Sequence, residues 1–96
     1  MKLQPQDLQI NNYVFDEEGD VSIMLSVSTD ECEMIHGDYY YKCYVGKLKP
    51  IPLDEKWLNR MVVHSKSTPF PDWIKYVHEA QNYHYWNNNK TELIIT

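Results

Sequence analysis

The stretch PDWIKYVHEAQNYHYWNNN, residues 71–89, reads as one amphipathic helix and gives a chain of 96 residues something to fold around. At about 100° per residue, Trp73, Ile74, Val77, Ala80, Gln81 and His84 share a stripe, while Lys75, Glu79, Asn82 and Trp86 lie mostly outside it. The stripe is expected to be buried. Pro71 suits a first helical position and Asp72 complements the positive end of the helix dipole. Asn87, Asn88 and Asn89 are candidates for a left-handed C-cap. Tyr76, Tyr83 and Trp86 flank the stripe, where they cover a sheet edge or meet a partner.

Working outward from that helix, residues 8–48 alternate β-prone runs with acidic turns. Residues 8–15 lead into Asp16-Glu17-Glu18-Gly19-Asp20, a hairpin signal. Residues 21–28 alternate Val21, Ile23, Leu25 and Val27 with Ser22, Met24, Ser26 and Ser28, which predicts a strand with the aliphatic face buried. His36-Gly37-Asp38 is a second turn, and residues 39–45 are β-prone and rich in tyrosine. Residues 47–52, KLKPIP, should be extended. Asp54 caps a short helix running to about Met61, with Leu53 and Leu58 placed for a hydrophobic staple and Trp57 turned toward the sheet. Residues 65–69 read as a loop, and residues 92–96 as a terminal strand that pairs with the sheet. The expected fold is α+β: a curled antiparallel sheet, with a small SH3-like barrel as one form of it, carrying a short helix and a C-terminal amphipathic helix. Residues 1–96 form one domain, mainly β over 8–48 and mainly helical with a terminal strand over 53–96, sharing one core.

Composition narrows the functional classes. Apolar residues make up 43% and aromatic residues 14%, which favours a folded domain. No apolar run is long enough for a membrane span, and the opening MKLQP lacks the apolar centre of a signal peptide, so a cytoplasmic protein is expected. Cys32 and Cys43 are the two cysteines, read as reduced thiols with a single bridge left open. Together with His36 and His64 they match no standard zinc spacing, and no metal or cofactor is expected. Residues 1–48 carry three lysines against nine acids, net −6, while residues 49–96 carry six bases against five acids, net +1.

Three segments carry a resemblance: LQINNYV at 8–14, KPIPLDEKWL at 49–58 and KYVHEAQNYHYWNNNKTEL at 75–93. In this order they resemble a family of small proteins of Bacteroidales genomes, their phages and other mobile elements. Members open on I-G-N-Y-V, continue with P-I-P-L-T-E-E-W-L and close on a Y-V-H-x-L-Q-N helix before E-L. Matching positions are Ile10, Asn12, Tyr13, Val14, Pro50, Ile51, Pro52, Leu53, Glu55, Trp57, Leu58, Tyr76, Val77, His78, Gln81, Asn82, Glu92 and Leu93. Asn11 and Asn89 stand where the family has glycine, and Asp54 where it has threonine, each keeping turn or cap chemistry. Between Trp57 and Tyr76 this chain is shorter and lacks a hairpin that family members carry. The resemblance implies an architecture and a mobile-element context, and no catalytic residue.

Site chemistry read from the residues favours binding over catalysis. Glu17, Glu18 and Asp20 crowd a turn rather than a cleft. His78 and His84 are too far apart on a helix to grip one metal. No nucleophile elbow and no phosphate-cradling loop occurs. His78, Gln81 and Asn82 are expected to satisfy backbone groups of a sheet edge or loop. Tyr39, Tyr40, Tyr41 and Tyr44 suit base stacking, but the negative balance around them opposes phosphate. The expectation is therefore a non-enzymatic interaction module. Asp16, Glu17, Glu18, Asp20, Asp30, Glu31, Glu33, Tyr39 and Tyr41 would meet a protein partner with a basic surface, such as a host nucleic-acid-binding or defence protein that it inhibits. The alternatives are nucleic-acid binding through Lys56, Arg60, Lys66, Lys75, Lys90, Trp57 and Trp73, and self-association as a structural homodimer.

Overall fold

The computed structural model describes residues 2–62 and 70–96. The 65–69 loop therefore lies outside the described residues. Four strands, β1 (Tyr13–Phe15), β2 (Val21–Val27), β3 (Glu31–His36) and β4 (Tyr39–Tyr44), form an antiparallel meander in chain order. Together with two helices, α1 (Glu55–Leu58) and α2 (Val77–Asn87), they make the α+β fold expected of the sequence. Among the described residues β4 does not pair with β1, so the sheet stays open rather than closing into a barrel.

Local chemistry explains the turns. The Asp16 carboxylate accepts from the backbone N–H groups of Glu18 and Asp20, both at 2.9 Å, and Gly19 takes φ +87°. Between β3 and β4 only Gly37 and Asp38 intervene, with Gly37 at φ +60° in the first central position, as a two-residue hairpin requires. Asp54 caps α1 by accepting from Trp57 N–H at 3.0 Å. Leu53 joins the buried cluster beneath it, while Leu58 remains exposed.

The expected burial of β2 is reversed. Ser22 and Met24 are its fully buried residues, and Val21 and Ile23 are half-buried. Met24 pairs with Met34 and Ser26 with Glu33, so Leu25 is an extra residue that bulges out of register. Beyond the bulge Val27 turns to the Met24 side and packs with it. The four aliphatic residues therefore do not share a face. Nor does one core serve the chain: two buried clusters lie against opposite faces of the β1–β2 region. Val14, Met24, Cys32 and Met34 meet Leu3, Leu8, Val45 and Leu48 on one side. On the other, Tyr13, Phe15 and Val21 meet Ile51, Trp57, Ile74, Val77, Ala80 and Leu93.

The C-terminal helix is shorter than its periodicity suggests. Ile74 N–H closes a turn onto the Pro71 carbonyl at 3.1 Å, and the chain then runs extended, pairing Tyr76 with Pro52. Leu53 N–H donates to Lys75 and Val77 N–H to Ile51, each at 2.9 Å. Backbone pairing with 51–53 therefore overrides helix over 71–76, and Trp73, expected in the buried stripe, is 63% exposed. Glu79 receives the orphan N–H groups of Lys75 and Tyr76 at the true N-terminus. At the other end Asn89 takes φ +55°, as expected of a left-handed terminator. The terminal strand β6 (Ile94–Ile95) pairs with β5 (Met61–Val62) in a separate ribbon, not with the main sheet.

Amides sew the N-terminal segment to α2. Gln81 accepts from Tyr13 N–H and donates to Asn11 C=O, both at 2.8 Å, standing in for a strand at the outer edge of β1. Asn82 donates to Asp7 C=O and accepts from Asn12. This is the role expected of Gln81 and Asn82, but His78 departs from it. His78 is 1% exposed, and among the described residues neither ring nitrogen has a hydrogen-bond partner. Burial pushes its pKa below the ordinary value, with Glu79 and Asp7 opposing without reversing the shift. The folded state therefore binds fewer protons than the unfolded chain, and the stability His78 contributes is complete above about pH 6.5 and lost as pH falls below it. A drop in the urea midpoint from pH 7 to pH 5 is expected, and His78→Leu should flatten it while adding about 1 kcal/mol at pH 7. An unchanged pH slope in that variant would exclude His78 as the source.

Candidate functional site

Six of the nine expected site residues converge. Asp16, Glu17, Glu18, Asp20, Tyr39 and Tyr41 line one open groove of about 340 Å³, together with His36, Lys42, Cys43, Lys47 and Leu48. The convergence follows from strand order: the β1–β2 and β3–β4 turns lie at the same end of the sheet, since β2 starts where β3 ends. Asp30, Glu31 and Glu33 do not join. Asp30 lies in the β2–β3 turn at the opposite end, Glu31 opens β3 at that same end, and Glu33 faces away from Cys32 and Met34 on the other side of the sheet, opposite Lys42.

Within the groove, Tyr39 and Tyr41 stack with ring centroids 5.8 Å apart and planes 20° from parallel. The Tyr41 hydroxyl meets Ser22 Oγ at 2.7 Å, and burial raises its pKa, keeping the phenol protonated. One oxygen of the Asp16 carboxylate, Oδ1, is committed to its own turn, whereas Glu17, Glu18 and Asp20 are exposed at the rim. Lys47 approaches Glu17 at 3.6 Å with both side chains largely in water, a weak pair. His36 donates from Nδ1 to the Val21 carbonyl at 2.8 Å, which leaves Nε2 for other partners. His36, Lys42 and Lys47 were not expected here. The signal for His36 was its place beside the turn glycine, and for the lysines none exists without the strand order.

The cysteines are cross-strand neighbours, Cys32 opposite Cys43, with sulfurs 3.4 Å apart and unbonded. Burial first, then the neighbouring thiol, pushes Cys32 up to about 12, and burial raises Cys43. Both are therefore held as protonated thiols and are weak nucleophiles. Among the described residues no three metal-ligating side chains come together, and His64 lies outside them.

A larger groove, about 710 Å³, runs between α2, the 9–13 segment and Leu93, and sequence reasoning missed it. Ile10 and Trp86 stand exposed along it. Its amides are spoken for: Gln81, Asn82 and Asn12 hold the chain together, and Asn11 binds Glu92. Two members of the basic set expected in the C-terminal half are engaged within the fold. Trp57 is buried under the Arg60 guanidinium, 4.4 Å above the ring, and Arg60 also holds the Thr96 carbonyl. Lys66 lies outside the described residues. Among the described residues no helix is long and apolar enough to cross a membrane.

No protein-family model matches the chain, and no curated protein and no solved structure matches it either.

Proposed function

We propose that this chain is a non-enzymatic protein–protein interaction module, and that the groove between the Asp16–Asp20 turn and the Tyr39–Tyr41 pair receives a basic surface of another protein. One observation carries the reading: three exposed carboxylates, Glu17, Glu18 and Asp20, share a groove with two stacked tyrosines. Carboxylates take the charge of Lys or Arg, and tyrosine faces take the apolar stem or the guanidinium plane. The net −6 of residues 1–48 steers such a partner toward this end and repels phosphate. The resemblance to mobile-element proteins sharpens the reading to an inhibitor of a host nucleic-acid-binding or defence protein in the cytoplasm, with carboxylates competing for cationic residues that otherwise meet phosphate.

The test compares the wild-type chain with a Glu17→Lys, Glu18→Lys, Asp20→Lys variant, leaving Asp16 to hold the turn. Captured partners should be basic, should elute as salt is raised, and should bind the variant at least about tenfold more weakly. Partners that survive high salt and bind both proteins equally would exclude the acidic groove.

A further inference from the structure

We propose that the partner enters as an extended segment that adds an antiparallel strand to the outer edge of β4, with Lys or Arg at alternate positions. This rests on the reading of the groove as a basic-partner site and specifies how the site is used. The sheet has two ends, and they are treated differently. At β1 the outer edge is filled: Gln81 occupies Asn11 C=O and Tyr13 N–H, and Lys49 exchanges both backbone bonds with Phe15 at 2.9 Å. At β4 no described strand covers the outer edge along six residues. Such an edge is a template for strand addition.

Register determines which groups are presented. His36 and Tyr39 flank a two-residue loop and form a hydrogen-bonded pair, so the bonded pairs recur at Tyr41 and Cys43. The backbone groups of Tyr40, Lys42 and Tyr44 consequently turn outward. Tyr39, Tyr41 and Cys43 project on the groove side, and Tyr40 and Tyr44, 67% and 59% exposed, on the other. Every second side chain of an added strand therefore lies on the acidic side, next to Tyr39 and Tyr41. The intervening ones lie against Tyr40 and Tyr44, where apolar or aromatic residues fit. Charge selects a basic segment over a second copy of the chain, because two copies would bring together like-charged N-terminal halves and two Lys42 side chains.

The probe is an acetylated, amidated peptide alternating Lys and Val over eight residues, titrated into the full chain and followed by amide NMR signals. With lysines over the groove, the peptide nitrogens turned toward β4 are those of the valines. Binding should slow exchange of the Tyr40, Lys42 and Tyr44 amides. N-methylation of the valine nitrogens should weaken it about tenfold or more, while N-methylation of the lysine nitrogens changes it little. Equal binding of both methylated peptides, with loss only in the Glu17→Lys, Glu18→Lys, Asp20→Lys variant, would overturn strand addition and leave the acidic groove standing. Absence of binding by every peptide at low salt would overturn both. A free chain that sediments as a dimer, and becomes monomeric on Lys42→Pro, would assign the edge to a second copy and refute the proposal.

Discussion

Trp57→Ala should lower the stability of the fold by about 3–5 kcal/mol, a large part of what a domain of this size holds in reserve. Trp57 is 6% exposed and stands at the junction of the cluster beneath α1. Its ring meets the edge of Tyr13 at 5.9 Å, tying α1 to β1, and Arg60 covers its outer face. Removing the indole opens a void that Tyr13 and Met61 cannot fill without leaving their own contacts. Urea unfolding followed by far-ultraviolet circular dichroism measures the loss. Trp86→Ala serves as the control, since that indole is exposed, and should change stability by no more than about 0.5 kcal/mol. Equal effects of the two substitutions would show that burial of Trp57 does not hold α1 against the sheet.

The second large effect is expected at Gln81. Gln81→Met keeps the length of the side chain and removes both polar ends, orphaning Tyr13 N–H and Asn11 C=O at once. Two such losses at a partly buried edge amount to about 2–3 kcal/mol. The defect should be local before it is global: exchange of the Tyr13 amide should accelerate more than that of Met24, whose N–H donates to Asn12 C=O inside the sheet. Similar acceleration at both amides would mean that Gln81 acts through general packing and not as a surrogate strand.

What the sequence made legible is the chemistry that neighbours decide. Asp54 announces its helix because an Ncap carboxylate needs only the next three residues, and Gly37 announces its hairpin because only the loop itself constrains it. Asn11 and Asn89 take positive φ, a conformation that the short polar side chain of asparagine tolerates. The failures have non-local causes. The helix over 71–76 gives way to pairing with 51–53, which no window on 71–89 contains. The aliphatic alternation of β2 is broken by one bulged residue, and a one-residue slip exchanges the faces. Six site residues were legible as two separate turn and strand features, and their meeting required the order of the strands. His78 gave no signal, because a histidine beside a buried stripe is indistinguishable in sequence from one at its rim.

The amide stitches from Asp7–Asn12 to Gln81–Asn82 span 68 to 75 positions of the chain. During synthesis the meander can form early, since its pairings are between consecutive strands, but the Asn11–Tyr13 part of its first edge stays unsealed until Gln81 has been made. A growing polypeptide thus exposes a stretch of strand edge that Gln81 later covers. Chains cut short upstream of residue 81 should therefore precipitate even though every strand of the meander is present.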